Sequence, residues 1–335
     1  MRPLIARIAA ALCFAVVSAT VPGPAIAETG EIRIGLQYGF IYLPITVADA
    51  EGLIDKRARE LGLPGMKVTL NRFSGSAAVN EALVSNSIDF GAYGLPGLLI
   101  AWEKTRGKLA IKGLAGLALT AYVLDTNKPA IASLADFGPQ DKIALPASNS
   151  PQAILLQMAA EKTFGDYKRL DANFVSLPHP DATTALLAGS AIAGYFATPP
   201  FSQILAKDSR IHPVLRSFDI LGGKEGTGAG LGGSQRFVDA NPKAAQALFL
   251  AIEDAMRLIA ADPRRAADIY LKSEPQKLSN EEVQALLQDR STIYQVAPSG
   301  LMAYAEFMVK TGMLKTKPDS WQDVFFPYVY ERGGT

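Results

Sequence analysis

The pattern of apolar and polar positions divides the chain into short alternating stretches, each ending at a polar loop. Residues 32–36 alternate apolar and small or charged side chains, which is the period of a half-buried strand. The alternation stops at Gln37, and a polar and aromatic loop continues to Pro44. Residues 45–50 are then predicted to form a helix, because Pro44 directly before them is tolerated in a first helical turn. The pattern therefore predicts a strand, a loop and a helix in succession.

The same succession recurs along the chain. Further strands are predicted at residues 66–70, 87–92, 142–145, 173–177 and 193–197. Helices are predicted after most of them, and the clearest start is Ser150 followed by Pro151, a favoured pair for a helix cap and a first helical position. Repeated strand–loop–helix units indicate an α/β fold with mainly parallel sheets and right-handed crossovers.

Two breaks interrupt this rhythm. The first is a turn at residues 126–129, and the second is the stretch 218–233, in which seven of the twelve residues from 222 to 233 are glycine. We interpret the glycine-rich stretch as a permissive connection whose glycines let two domains rotate or let the backbone approach a ligand. The apolar stripes beyond it predict helices. The chain is thus predicted to form domain 1 from residues 28–120 and 223–335, and domain 2 from residues 121–222. Two crossings between them would leave a cleft, where small-molecule sites are common.

The first 27 residues predict a secretory signal peptide. Arg2 and Arg7 precede an apolar run at 8–21, and Ala25-Ile26-Ala27 gives the pattern of a cleavage site after Ala27. The single cysteine, Cys13, lies in this segment, so the mature chain would carry no disulfide or thiol nucleophile. The protein is therefore expected to be exported. With 33 basic and 32 acidic residues in the full sequence, a nucleic-acid-binding protein is not indicated.

Catalytic and metal motifs are sparse. There are two histidines, His179 and His212, and we interpret His179 as a loop residue before a helix that Asp181 caps. Residues 228–233 spell G-x-G-x-x-G, but they follow no apolar strand, so a nucleotide site is not predicted. No catalytic residue, metal ligand or cofactor is expected.

The polar loops after the predicted strands are a more coherent signal. Carboxyl ends of parallel strands share one edge of a sheet, so these loops can converge on a common cleft. They offer hydroxyls, amides and the N–H groups of helix N-termini, with tyrosines and Phe40 as candidate aromatic walls. Such groups bind and orient a molecule, but they supply no nucleophile with its base.

The sequence resembles the periplasmic solute-binding proteins of ABC importers in the nitrate/sulfonate/taurine group. The resemblance rests on IRIGLQYGFIYLPITVADAEGL at 32–53, RFSGSAAVNEALVSNSIDFGAYG at 72–94, KIALPASNSPQAILLQ at 142–157, HPDATTALLAGSAIAGYFATPPF at 179–201 and SQRFVDANPKAAQALFLAIEDA at 234–255. It implies a type II periplasmic-binding fold that closes like a flytrap on one small molecule, a location in the periplasm, and a partner permease with its ATPase. It also implies solute contacts from Gln37, Tyr38, Tyr42, Ser74, Gly75, Ser76, Tyr93, Gly94, Leu95, Ser148, Asn149, Ser150, Asp181, Thr198 and Pro199.

The nature of the solute stays open at this point. Arg72 is the one cationic residue in the implied loops, so a sulfonate or carboxylate would rely on N–H groups and hydroxyls. The tyrosines equally suit an aromatic or heterocyclic solute. The alternatives to a monomeric transport receptor are an enzyme on the same fold, such as a pyrimidine-precursor synthase, and a periplasmic sensor or adaptor protein.

Overall fold

The computed structural model describes residues 28–189, 191–223, 226–274, 276–289 and 291–335. The predicted signal peptide, residues 1–27, lies outside this part. The strands are β1 Glu31–Leu36, β2 Lys67–Arg72, β3 Phe90–Tyr93, β4 Ile111–Thr120, β5 Val123–Thr126, β6 Ile143–Leu145, β7 Phe174–Ser176, β8 Gly194–Ala197, β9 His212–Arg216, β10 Gly226–Ser234 and β11 Thr292–Ile293.

Thirteen α-helices are formed by the residues that the structure describes. They are α1 Leu43–Ala50, α2 Leu53–Glu60, α3 Ser76–Val84, α4 Leu95–Lys104, α5 Pro151–Phe164, α6 His179–Ala188, α7 Phe201–Leu205, α8 Ser217–Ile220, α9 Gln235–Ala240, α10 Pro242–Ala261, α11 Pro263–Ser273, α12 Asn280–Gln288 and α13 Leu301–Lys310. None of the described helices is long and apolar enough to cross a membrane.

The first lobe is built on a six-stranded sheet with the order β11-β4-β10-β3-β1-β2. Strand β1 pairs in parallel with β2 and β3, whereas β10 runs antiparallel to β3 and β4. The alternation that predicts β1 also explains its burial, since Ile32, Ile34 and Leu36 are fully buried. The sheet is therefore mixed, and its parallel half carries the strands with the polar loops.

The second lobe repeats this plan on five strands with the order β7-β6-β8-β5-β9. Strand β6 pairs in parallel with β7 and β8, and β5 runs antiparallel to β8 and β9. Helix α5 begins as predicted, because the Ser150 hydroxyl accepts a hydrogen bond from the Ala153 N–H at 3.2 Å. The α/β architecture on two sheets is that expected from the sequence, while the exact domain boundaries stay a prediction.

The glycine-rich stretch was expected to be a connection throughout, but from Gly226 onward it forms strand β10. Strand β10 lies between β3 and β4 and is buried except for its last residue. A Cβ on Gly228 would lie 2.5 Å from the Thr120 Cγ2, and one on Gly233 would lie 2.7 Å from the Phe90 Cδ1. Neighbouring side chains thus fill the space on both faces of β10, so glycine is required for packing and not for flexibility.

Two crossings join the lobes, from β4 to β5 and from β9 through α8 to β10, and they are bonded to each other. The Tyr122 N–H donates to the Ser217 hydroxyl, and the Ser217 N–H donates to the Tyr122 carbonyl, both at 2.9 Å. The Tyr122 hydroxyl also donates to the Gly228 carbonyl at 3.0 Å. The crossings therefore form one hydrogen-bonded unit between the lobes, which we call the hinge.

The C-terminal helices complete the first lobe and reach over to the second. Helix α10 packs on α1 and α2, and α13 packs on α4. Helix α13 also contacts α5 of the second lobe, where Lys310 forms an ion pair with Glu161. Just beyond α13, the Tyr167 hydroxyl donates to the Thr311 carbonyl at 3.3 Å. The two lobes therefore touch away from the hinge as well.

Candidate functional site

Loops from both lobes meet around one enclosed space, which we call the central cavity. Helices α3, α4, α5 and α6 begin there, directly after the strands that end at the facing edges of the two sheets. The lining residues are Gln37, Ile41, Tyr42, Ser76, Gly94, Tyr122, Pro146, Ser150, Pro151, Gln152, His179 and Gly228. The convergence expected of parallel strand ends is thus present in the folded chain.

The central cavity is small and lined by uncharged side chains. Its volume is about 10 Å³, which is close to the least space that holds one water molecule. None of its lining residues is Lys, Arg, Asp or Glu. Four helix N-termini meet at the cavity, and each helix N-terminus carries a partial positive charge from the helix dipole. An organic solute would fit there only after the lobes move apart.

Direct contacts between the lobes explain why the cavity is so tight. The Phe40 N–H donates to the Pro199 carbonyl at 3.1 Å. A Cβ on Gly94 would lie 2.2 Å from the Pro151 Cδ, and one on Gly75 would lie 2.6 Å from the Pro146 carbonyl oxygen. The absence of a side chain at these two glycines therefore permits the lobes to meet.

His179 lies in the cavity wall and not in a loop, because helix α6 begins three residues earlier than predicted. Pro180 is tolerated within its first turn, and Asp181 does not cap the helix from outside. The His179 ring stacks on Phe201, with 5.3 Å between ring centroids. Its Nδ1 atom is hydrogen-bonded to the Tyr195 hydroxyl, and its Nε2 atom lies 3.5 Å from the Gln152 Nε2. Burial lowers the pKa of His179 to about 3, so the cavity contains a neutral imidazole.

Asp125 lies beside Tyr195 on the neighbouring strand. Its protonation changes the stability of the native state in the opposite direction to that of His179. Its Oδ2 atom has no hydrogen-bond partner among the described residues, and burial raises the pKa of Asp125 to about 7. Below about pH 6.5 the unfolded chain protonates its histidines while native His179 stays neutral, so acid weakens the native state. Between about pH 7 and 4 the native state binds a proton at Asp125 that the unfolded chain does not, so acid strengthens it.

We therefore expect Asp125→Asn to make the protein more sensitive to acid. Without the stabilising proton uptake at Asp125, the free energy of unfolding should fall more steeply than in the wild type between about pH 7 and 4, by up to about 1.4 kcal/mol per pH unit. Urea unfolding at a series of pH values measures this slope. Asp219→Asn, at an exposed position, is the control and should follow the wild type. Parallel slopes for Asp125→Asn and the wild type would contradict the opposed titrations.

A buried ion pair lies behind the first loop, residues 37–42. The Arg72 Nη1 donates to the Glu274 Oε1 at 2.8 Å and to the Gln37 carbonyl at 2.6 Å. The Glu274 Oε2 accepts the Gly39 N–H at 3.0 Å and the Tyr270 hydroxyl at 3.3 Å. Burial raises the pKa of Glu274, against the opposing effect of Arg72. Arg72 is thus engaged by its own chain and is absent from the cavity lining.

A wider depression, the outer groove, lies between the lobes on the other side of the first loop. It has a volume of about 830 Å³, and its walls include Tyr38, Glu274, Asp181 and Phe201. The Arg72 guanidinium lies 5.2 Å from the centre of the Tyr38 ring. The structure therefore separates Tyr38 and Asp181 from the central cavity.

The fifteen residues that the resemblance implies as solute contacts are spread over several parts of the structure. Those in the cavity lining are Gln37, Tyr42, Ser76, Gly94 and Ser150. Gly75, Thr198 and Pro199 lie at contacts between the lobes, and Tyr38 and Asp181 line the outer groove. Tyr93 and Leu95 are buried, whereas Ser74 and Ser148 are exposed and Asn149 is half-buried. Whether these residues contact a solute stays a prediction.

Seven lining residues are absent from the predicted contacts, and three of them have polar side chains. Tyr122 belongs to the hinge, Gln152 follows the α5 cap, and His179 begins α6. The cap signal at Ser150 could have indicated Gln152, and a helix start at Pro178 could have indicated His179. Among the described residues, no group of three or more His, Cys, Asp or Glu side chains could hold a metal ion.

The chain is similar to known proteins at the level of family and fold. A family model described as the NMT1-like family matches residues 25–270. No curated protein matches the chain by sequence. The alkanesulfonate-binding protein SsuA from Xanthomonas axonopodis pv. citri, bound to MOPS, is 21% identical with a TM-score of 0.69, and the match covers 87% of this chain and 96% of that one.

Two further solved structures show the same likeness. The periplasmic nitrate-binding protein NrtA from Synechocystis PCC 6803 is 16% identical with a TM-score of 0.71, over 92% of this chain and 86% of that one. The periplasmic aliphatic sulphonate-binding protein SsuA from Escherichia coli is 18% identical with a TM-score of 0.65, over 89% and 92%. At these identities the likeness shows the fold, and the predicted periplasmic-binding-protein fold is confirmed.

Proposed function

The chain belongs to the NMT1-like family, and from this premise we propose that it is the solute-binding component of an importer. In this proposal the two lobes close around one small molecule in the central cavity, and the loaded protein delivers it to a membrane permease with an associated ATPase. The receptor acts in the periplasm as a monomer after removal of residues 1–27. The solved structures with this fold include proteins described as binding alkanesulfonates and nitrate.

The observation that carries the proposal is the convergence of four helix N-termini from both lobes on one cavity. Helices α3 and α4 belong to the first lobe, and α5 and α6 to the second. A solute held by all four would bridge the lobes, so binding and closure would be linked. This arrangement supports a receptor that captures its solute by closing.

The chemistry of the lining supports a polar solute that is either negatively charged or uncharged. Helix N-termini favour anions and hydrogen-bond acceptors, and none of the side chains that line the cavity carries a charge that would balance a cation. Tyr42 and Tyr122 add aromatic surface. A sulfonate, a carboxylate or an uncharged aromatic compound therefore fits the proposal, whereas a cationic solute does not.

The same lining supports binding without catalysis. His179 is the one imidazole in the cavity wall, and its Nδ1 is already hydrogen-bonded to Tyr195. No thiol or carboxylate is among the lining residues to act with it as nucleophile or base. We therefore propose a receptor and not an enzyme.

A thermal-shift screen of the purified protein with alkanesulfonates, nitrate, carboxylates and aromatic acids tests the proposal. A binding solute raises the melting temperature with its concentration. Native mass spectrometry before and after mild unfolding should in addition reveal a retained molecule. If no compound shifts the melting temperature, no molecule is retained and a library member is turned over, the chain is an enzyme and not a receptor.

Ser150→Ala is expected to weaken binding of the best compound from this screen by about 1–3 kcal/mol, because a hydroxyl in the cavity wall is lost. The substitution also removes the cap of α5. Ser279→Ala is a matched control, since the Ser279 hydroxyl caps α12 by the same 3.2 Å bond to a backbone N–H but is absent from the cavity lining. Both variants should lose about 1 kcal/mol of stability, but titration calorimetry should show weaker binding for Ser150→Ala alone. Equal affinities in the two variants would place the solute elsewhere.

A further inference from the structure

We propose that Glu274 is a built-in anion, whose carboxylate occupies an anion-binding position behind the first loop. Arg72 and the Gly39 N–H form this position. Because the Glu274 carboxylate already fills this position, neither Arg72 nor the Gly39 N–H is available to bind the solute. The position itself follows from geometry alone, whereas its consequence for solute choice rests on the proposed function.

The donors around Glu274 are those that hold a carboxylate in a binding site. One guanidinium, one backbone N–H and one phenol hydroxyl lie within 3.3 Å of its two oxygens, from Arg72, Gly39 and Tyr270. A guanidinium with a backbone N–H is a strong combination for a carboxylate or another oxyanion. The Glu274 side chain is 3% exposed and the Arg72 side chain 22%, so the carboxylate is almost completely removed from water and the guanidinium is largely so.

The backbone of the first loop is shaped to complete the position. Gly39 has a φ of 112°, a conformation that favours glycine, and a Cβ there would lie 3.1 Å from the Pro199 carbonyl oxygen. Gly39 also links the ion pair to the contact between the lobes, because the next N–H, that of Phe40, donates to the Pro199 carbonyl. Glu274 therefore positions the loop that touches the second lobe.

The outer groove gives access to this position. Glu274 and Ser273 belong to the wall of the groove, which has room for small organic ions. Shortening Glu274 to alanine removes its carboxylate and leaves Arg72 and the Gly39 N–H without their anion. A small carboxylate from solution then has both a path and a set of donors.

The consequence concerns how a solute's charge is recognised. Arg72 is the one cation of the implied strand-end loops, and Glu274 neutralises it. A negative group on the solute is therefore recognised by the helix N-termini of the central cavity and not by a guanidinium. We expect Glu274→Ala to create a second, artificial anion site in the outer groove.

Chemical rescue tests the proposal. The melting temperature of Glu274→Ala is measured in sodium formate, acetate and propionate, each against sodium chloride at the same ionic strength and pH. Acetate or propionate should raise it by about 3 °C more than chloride, as expected for a bound anion in moderate excess over its dissociation constant. The double variant Arg72→Ala/Glu274→Ala lacks the guanidinium and should show no such difference. Glu274→Gln, whose amide fills the position, should show none either.

If Glu274→Ala does not fold alone, recovery of its native circular dichroism is measured during refolding in the same salts. Recovery in propionate but not in chloride supports the proposal. Equal effects of all salts on Glu274→Ala, or equal rescue of the double variant, would overturn it. The solute screen on the wild-type protein is independent of these outcomes, so either proposal can fail while the other stands.

Discussion

Arg72→Ala is expected to lower the free energy of unfolding by about 3 kcal/mol, the lower end of the range for breaking a buried ion pair. Glu274 would stay behind almost fully buried, with its charge no longer balanced. The lower end applies because the Arg72 side chain is 22% exposed. The lost bond from Arg72 to the Gln37 carbonyl adds to the loss. Urea unfolding at pH 7 measures the change.

The effect should also depend on pH in a defined direction. Burial raises the pKa of Glu274, and Arg72 opposes this rise, so the carboxyl of the variant binds a proton at a higher pH than in the wild type. The native state of the variant then holds a proton that the unfolded chain releases, and its stability increases as the pH falls. The loss relative to the wild type should therefore shrink on acidification.

Arg265→Ala is the control for Arg72→Ala. Arg265 forms an ion pair with Glu51 at the surface and is 57% exposed, so its loss should change stability little at any pH. A stability loss for Arg72→Ala as small as that of Arg265→Ala would show that the Arg72–Glu274 pair is not important for the fold. A loss that stays constant with pH would show that Glu274 keeps its charge without Arg72.

Gly94→Val is expected to weaken solute binding at least about 100-fold, or by about 2.7 kcal/mol. A Cβ at this position would lie 2.2 Å from the Pro151 Cδ on the opposite lobe, so the lobes could no longer meet as they do here. The backbone of Gly94 has φ −60° and ψ 150°, which valine adopts without strain. Because opening the lobes relieves the clash, stability should change much less than affinity.

Affinity for the best compound of the screen and the radius of gyration in its presence are the two measurements for this variant. We expect the radius of Gly94→Val to stay at the value of the open protein, while that of the wild type decreases. Gly30→Val is the control, since a Cβ at Gly30 has no neighbour within 4 Å. Wild-type affinity in Gly94→Val would mean that the lobes do not need this contact to hold a solute.

Local patterns predict much of the fold, because each depends on nearest neighbours along the chain. Strand β1 follows from the alternation at 32–36, and α5 follows from the Ser150–Pro151 pair. Strand β10 could not be predicted in this way. Its glycines carry no side-chain alternation, and the reason for them is the space taken by Thr120 and Phe90 on neighbouring strands.

The candidate site was predictable in its general location but not in its details. Strand-end loops indicated the edge of each sheet at which the central cavity lies, and Ser76 and Ser150 lie in the cavity wall. The pairing of Arg72 with Glu274 spans 202 positions along the chain, so no local signal announces it. His179 was missed because two prolines flank it, a pattern typical of a loop, whereas both fit the start of α6.

The hinge has a mechanical consequence. Tyr122 and Ser217 bind each other through two reciprocal hydrogen bonds, and Tyr122 is also bonded to Gly228. Because the two crossings are hydrogen-bonded side by side, they resist sliding past each other and twisting. They can still bend together about the line that joins them. We therefore expect the motion of the lobes to have one soft degree of freedom, so that a single angle describes every state from open to closed.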